Sequence, residues 1–170
     1  MKITVNLSNI DAALKQLDDY IKSLETKTSA LVKRLVDDGV SIAKAQVIDL
    51  GAFETFELSS SIDGMMYVKG DKGVIFTNCP YAAYVEFGTG VVGKGSPHPK
   101  FPWAYDINNH GEDGWWYPTD ETDPNPHKHT YNGQLYAWTK GMPSRPFMYN
   151  TSIELKDKLA QIAREVFKSG

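Results

Sequence analysis

The sequence predicts an α+β fold: amphipathic helices at the N-terminal end, a small, mostly antiparallel sheet, a C-terminal helix and a long, irregular, aromatic-rich insertion. The reading has three sources. Apolar residues recur at helical spacing near both ends. β-favouring residues flank a glycine-rich turn in the middle. A stretch rich in proline and aromatic residues, 90–142, fits neither pattern. A chain of 170 residues is long enough for one domain with a real core, so we expect residues 1–170 to form one domain carrying the insertion at 90–142.

Ile3, Val5 and Leu7 alternate with polar residues, as in a short strand or extended arm, and Ser8 is suited to cap the helix that follows. Ile10, Leu14, Leu17, Ile21 and Leu24 mark a first amphipathic helix, and Leu31, Leu35, Ile42 and Val47 a second. Gly51 is suited to close that second helix. Residues 58–78 read as β structure, with Met65 and Tyr67 on one side of Gly70-Asp71-Lys72-Gly73 and Val74 to Phe76 on the other. Pro80 opens a helix of about two turns, which Asn78 or Cys79 is placed to cap and Gly88 closes.

The insertion then holds Pro97, Pro99, Pro102, Pro118, Pro124 and Pro126, which break any long element. It also holds all four tryptophans (Trp103, Trp115, Trp116, Trp138) and all four histidines, His98, His110, His127 and His129. Flexible linkers lack such aromatic content, so the segment packs on itself or on a partner. From about residue 150 to 168, Ile153, Leu155, Leu159, Ile162 and Val166 return to helical spacing.

Composition narrows the function. The 18 basic and 21 acidic side chains leave a formal charge of −3, which gives no basis for nucleic-acid binding. The one cysteine, Cys79, permits no intrachain disulfide and fits a reducing compartment. The N-terminus is too polar for a signal peptide, and no apolar run approaches the roughly 20 residues of a membrane span. A soluble protein made in the cytoplasm is expected. The glycosylation patterns at Asn6 and Asn150 then carry no meaning.

Several motifs invite chemistry. Gly88, Gly90 and Gly93 satisfy G-x-G-x-x-G, and residues 88–94 read G-x-x-x-x-G-K. A phosphate loop needs a strand before it and a helix after it, whereas Ser96-Pro97-His98-Pro99 follows here, and Gly95 stands where a P-loop needs Ser or Thr. His127 and His129, with Asp120, Glu121 and Asp123 nearby, offer metal-ligand chemistry, which would suit a metal-dependent hydrolase. The prolines around them favour a solvated loop instead. Carboxylate pairs drawn from Glu112, Asp113, Asp120 and Glu121, with tryptophans to stack on sugar, would suit a glycosidase, and the Trp/Tyr-rich insertion offers the alternative of a carbohydrate- or ligand-binding module. No G-x-S-x-G elbow is present, and nothing positions a histidine on Cys79. We assign no catalytic residue, metal or cofactor.

Three stretches point elsewhere: Leu58-Ser59-Ser60-Ser61-Ile62, then Tyr81-Ala82-Ala83-Tyr84-Val85-Glu86-Phe87-Gly88-Thr89-Gly90, then Arg145-Pro146-Phe147. In that order, with an amphipathic helix on either side, they resemble the head–tail connector or tail-completion (neck) proteins of tailed bacteriophages. The family pattern is a strand of Leu-x-x-Ser-Ile type, a Tyr-Ala-x-Tyr-Val-Glu-Phe-Gly-Thr core and Arg-Pro-Phe before the last helix. The aromatic insertion is similar to that of long-insert members from phages and prophages of Gram-positive hosts. The resemblance implies a virion structural protein without catalysis. It implies a homo-oligomeric ring, a hexamer favoured, meeting connector or stopper and tail-tube proteins, with no sequence-specific nucleic acid and no membrane. It places the protein in the host cytoplasm during assembly and in the neck or tail of the virion afterwards. The four tryptophans are candidate interface residues, since buried interface centres favour large aromatics.

Glu86 and Arg145 each sit in apolar local sequence, and a buried charge needs a partner. We expect Glu86 to stand at the base of the insertion, paired with Arg145 or with loop amides, clamping the two ends of the insertion together.

Overall fold

A computed structural model describes residues 7–52, 56–105 and 113–168, with the side chains of 7–9 excepted. The expected arm at Ile3 and Val5, the pattern at Asn6, and His110 and Glu112 lie outside the described residues. The α+β class holds. A long helix α1 (Leu7–Asp49) leads to a short helix α2 (Glu57–Ser61), a hairpin of β1 (Ile62–Met66) and β2 (Gly73–Thr77), and helices α3 (Ala82–Phe87) and α4 (Gly90–Gly95). Strands β3 (Trp115–Pro118), β4 (Lys128–Tyr131) and β5 (Gln134–Thr139) follow, and α5 (Phe147–Lys168) closes the chain.

Where two N-terminal helices were expected, one runs unbroken through 43 residues, about 65 Å at 1.5 Å per residue. The polar stretch Glu25-Thr26-Lys27-Thr28-Ser29-Ala30 interrupts the apolar stripe but holds no Pro or Gly to break a helix. Leu24 and Leu31 stand seven residues apart, so the stripe resumes in phase. Ser8 lies within the first turn and does not precede it. The far end stops as the sequence predicts: Gly51 adopts φ 61°. Its N–H donates to Ile48 at 2.9 Å and the Ala52 N–H donates to Val47 at 2.9 Å, the paired bonds of a Schellman ending.

Residues 58–61 are helical, so the strand expected from Leu58 starts only at Ile62. Serines permit both states here, and each of Ser59, Ser60 and Ser61 donates its hydroxyl to a carbonyl three residues back. Because the one Ser61 hydroxyl proton goes to Leu58, the Thr77 hydroxyl donates to Ser61 Oγ across 2.7 Å, fastening the hairpin's two ends. The pairing is antiparallel with Ile62 opposite Thr77 and Met66 opposite Gly73, and Tyr67 and Lys72 bracket the glycine turn. The face carrying Ile62, Gly64 and Ile75 lies on the C-terminal half of α1.

The insertion is more regular than its prolines suggested. It contains α4 and a second antiparallel sheet in the order β3-β5-β4, so the described strands form two separate small sheets. The prolines fall in the connections, apart from Pro118, the last residue of edge strand β3, where a missing N–H costs little. α5 starts at Phe147, three residues earlier than the apolar spacing indicated.

The core gathers Ala43 and Val47 of α1, Leu58 of α2, Ile62 of β1, Cys79, Ala82 and Val85 of α3, and Phe147 of α5. Leu58, Ile62, Val47 and Phe147 are the largest fully buried side chains, each stabilising the fold by about 1.5–3 kcal/mol. Three of the four come from the stretches that carry the family resemblance or lie beside them. Replacing Leu58 by Ala will lower the unfolding free energy by about 2–5 kcal/mol in a urea titration, because it leaves a cavity where α1, α2 and α5 converge.

Candidate functional site

The residues read as a family signature converge where α3 hands the chain to the insertion and the insertion returns it to α5. At the centre is Glu86, only 7% exposed. Its carboxylate points at the start of α5. Glu86 Oε2 accepts the Met148 N–H at 2.9 Å and Oε1 accepts the Tyr149 N–H at 3.0 Å. The Phe147 N–H donates to the Arg145 carbonyl and the Asn150 N–H to the Pro146 carbonyl, so all four leading amides of α5 are satisfied. A negative charge here also faces the positive end of the helix dipole. Glu86 is thus an N-cap delivered from a helix some 60 residues upstream, at a helix start whose local residues, Arg145-Pro146, include no capping side chain.

A third donor completes the carboxylate. His98, 4% exposed, places Nε2 at 3.2 Å from Glu86 Oε1. Its Nδ1 accepts the Lys100 N–H at 3.1 Å, so the ring proton sits on Nε2 and is donated to Glu86. Around this ring stand Phe87, Phe101 and Tyr149, with centroids 5.1–5.3 Å away. Trp103 stacks on Phe87 at 5.1 Å, and Tyr105 meets Tyr84 edge-on at 5.1 Å. His98 was not singled out in the sequence. Its signal was local: a polar ring held between Pro97 and Pro99 beside an aromatic run, in a chain with a buried acid to satisfy.

The backbone joins the insertion's two ends. The Thr89 N–H donates to the Met142 carbonyl at 2.9 Å, and Thr89 Oγ1 accepts the Met142 N–H at 3.0 Å. The Ser144 hydroxyl donates to the Glu86 carbonyl at 2.6 Å, and the Arg145 N–H to the Val85 carbonyl at 2.8 Å. Gly88 has φ 71°, and a Cβ there would stand 2.6 Å from the Ser144 nitrogen, so only glycine lets the strands of the junction meet. Gly90 is likewise crowded by the returning segment at Lys140, and Gly93 by Gly88 and Ala104. The glycine motif serves this close approach. The short helix α4 does begin at Gly90, but helix α3 precedes it where a phosphate loop requires a strand.

Of the two partners expected for Glu86, Arg145 or loop amides, the carboxylate takes backbone amides, those at the start of α5, and among the described residues no ion pair joins it to Arg145. Two amides and a histidine fill the carboxylate's reach, and Arg145 serves through its backbone. Leu58, Ile62 and Phe147 lie in the core, Tyr81 packs against it, Ser61 fastens the hairpin, and Pro146 supplies the carbonyl that Asn150 uses. The tryptophans divide. Trp103 and Trp116 are each 47% exposed, whereas Trp115 and Trp138 are half-buried.

The histidine pair is not brought onto a common ligand. His127 receives the Trp138 N–H on its carbonyl, and the His129 ring lies 6.1 Å from Trp116. Among the described residues no group of three or more His, Cys, Asp or Glu is clustered for a metal. Asp123 serves the fold of the insertion. It accepts the Thr119 and Tyr117 hydroxyls at 2.6 Å each and the Asn125 N–H at 2.7 Å. Those bonds, Thr119's first and Tyr117's next, hold its carboxyl below the usual range. The Thr122 hydroxyl does the same for Asp120. Among the described residues no helix is long and apolar enough to cross a membrane.

A family model described as "Bacteriophage HK97-gp10, putative tail-component" matches residues 15–88. The resemblance to a phage tail- or neck-component family is therefore shown over that span, which runs from α1 through the hairpin to Gly88. No curated protein matches the chain, and no solved structure matches it.

Glu86→Ala will cost about 3–5 kcal/mol by denaturant titration, since it strands two buried amides and the His98 N–H. Arg145→Ala will cost less than about 1.5 kcal/mol, because the backbone bond remains. Asp123 yields a pH prediction. A folded pKa below the ordinary carboxylate value gives stability that is present above about pH 4 and lost as pH falls through the lower folded value. Tryptophan fluorescence will report an acid step in the insertion below about pH 4 that is absent in Asp123→Asn.

Proposed function

We propose that this protein is a non-enzymatic structural subunit of a phage particle, acting in head–tail joining as part of a connector or tail-completion ring. The observation that carries the reading is the match of residues 15–88 to a phage tail-component family. The architecture supports it. The buried acid of the signature, Glu86, spends every bond on structure, and the polar groups around it are satisfied by one another. A subunit that must present a fixed surface to neighbours benefits from such a junction, because it sets the insertion rigidly on the helical scaffold.

In this reading the copies form a closed ring, a hexamer favoured, through heterologous contacts that close by rotation. The ring meets connector or stopper proteins on one side and the tail tube on the other. The exposed rings of Trp103 and Trp116 contribute to those contacts. The protein is made in the host cytoplasm and ends in the virion.

The test is genetic and structural. A phage genome with a stop codon in this reading frame should yield filled heads and finished tails that do not join, seen by electron microscopy. Supplying the protein in trans should restore joined particles. Normal virions from the interrupted genome would overturn the reading.

A further inference from the structure

Among the described residues, nothing in its own chain buries the N-terminal part of α1. Residues 10–26 are exposed without exception. Towards this end of α1, the Lys27 Nζ donates to the Phe167 carbonyl of α5 at 3.4 Å. Yet this free stretch carries Ile10, Leu14, Leu17, Ile21 and Leu24, between 37% and 54% exposed. Their spacing is 4, 3, 4, 3, a strict heptad alternation rather than the broader stripe of a helix lying on a globular core. The same register continues through the polar Thr28 to Leu31 and Leu35, which are half-buried, so the apolar spacing of the exposed part stays in phase with that of the covered part. An uncovered helical segment of this length is only marginally stable by itself.

We propose that this seam is a self-association surface, taken by the same segment of a second copy of this chain in parallel orientation. A heptad seam accepts a helix of the same repeat, with knobs of one entering holes of the other, and an identical helix supplies that repeat. Charge selects the direction. One edge of the seam carries Asp11, Asp18 and Glu25, seven residues apart, and the other carries Ala13, Tyr20 and Lys27. An antiparallel pair would set the acidic edge against itself. A parallel pair sets it against the edge of Ala13, Tyr20 and Lys27, where no like charges meet. The surface stands on the helix geometry and does not rest on the tail-component reading. A ring held through other faces would overturn this proposal and leave that reading intact.

The test uses the full chain. Light scattering after size exclusion should show concentration-dependent assembly. The triple variant Leu14→Glu, Leu17→Glu, Ile21→Glu should shift its midpoint by more than about tenfold, while tryptophan fluorescence stays unchanged because these side chains lie outside the core. Under oxidation Leu17→Cys should give disulfide-linked dimers through identical positions, and Asp19→Cys, on the opposite face, should not; Cys79 is buried and stays in place. A wild-type monomer at every concentration, a triple variant that assembles like wild type, or equal cross-linking at positions 17 and 19 would each overturn the proposal.

Discussion

The carboxylate of Glu86 at the head of α5 is the bond set on which the rest of the structure turns. A buried acid is tolerated only when hydrogen bonds replace the water it has lost, and a helix start has amides that need acceptors. Each requirement satisfies the other. The two amides of Met148 and Tyr149 and the Nε2–H of His98 meet one carboxylate, and no buried side-chain polar atom among the described residues lacks a partner. Because Glu86 sits on α3, next to Val85 and the core around Phe147, the same contact fixes α3, α5 and the loop of His98 relative to one another.

The insertion follows from that anchor. Its outgoing strand leaves through Gly88 and Thr89, and its returning strand is bonded to them at Met142 and Ser144. The aromatic run Phe87, Phe101, Trp103 and Tyr105 shields the histidine and the acid on the outer side. Beyond this neck the three-stranded sheet is held by its own network, with Asn125 bridging to the Trp138 carbonyl at 2.7 Å and Asp123 collecting two hydroxyls. The described residues are therefore a helical scaffold and a β module joined at a satisfied junction. The matched family span ends at Gly88, at the entry to that neck.

Much of this was legible in the sequence, and the rest has identifiable causes. Glycine signals were reliable: Gly51 and Gly88 end helices where the spacing placed them, because a positive φ leaves few other choices. The α3 helix and its acid were recognisable for the same reason, a charge in apolar surroundings that demands a partner. The partner itself was not. Apolar surroundings demand a partner for Glu86 without deciding between the Arg145 guanidinium and backbone amides, because amides carry no residue signature. The strands of the insertion were hidden because Trp115 to Pro118 and Lys128 to Tyr131 are four-residue pieces without clear alternation, whose pairing depends on β5 between them. The split expected in α1 has another cause: a polar interval interrupts the apolar stripe without breaking the helix, which runs on even through Gly39.

The central claim is that Glu86 caps α5 from a distance, and amide hydrogen exchange followed by NMR tests it most directly. In the native protein the Met148 and Tyr149 amides should exchange as slowly as those of core residues such as Phe147 and Thr151. In Glu86→Gln, which keeps one oxygen acceptor, one of the two should become fast while Asn150 stays slow. Rapid exchange of both amides in the native protein, with Asn150 protected, would contradict the account.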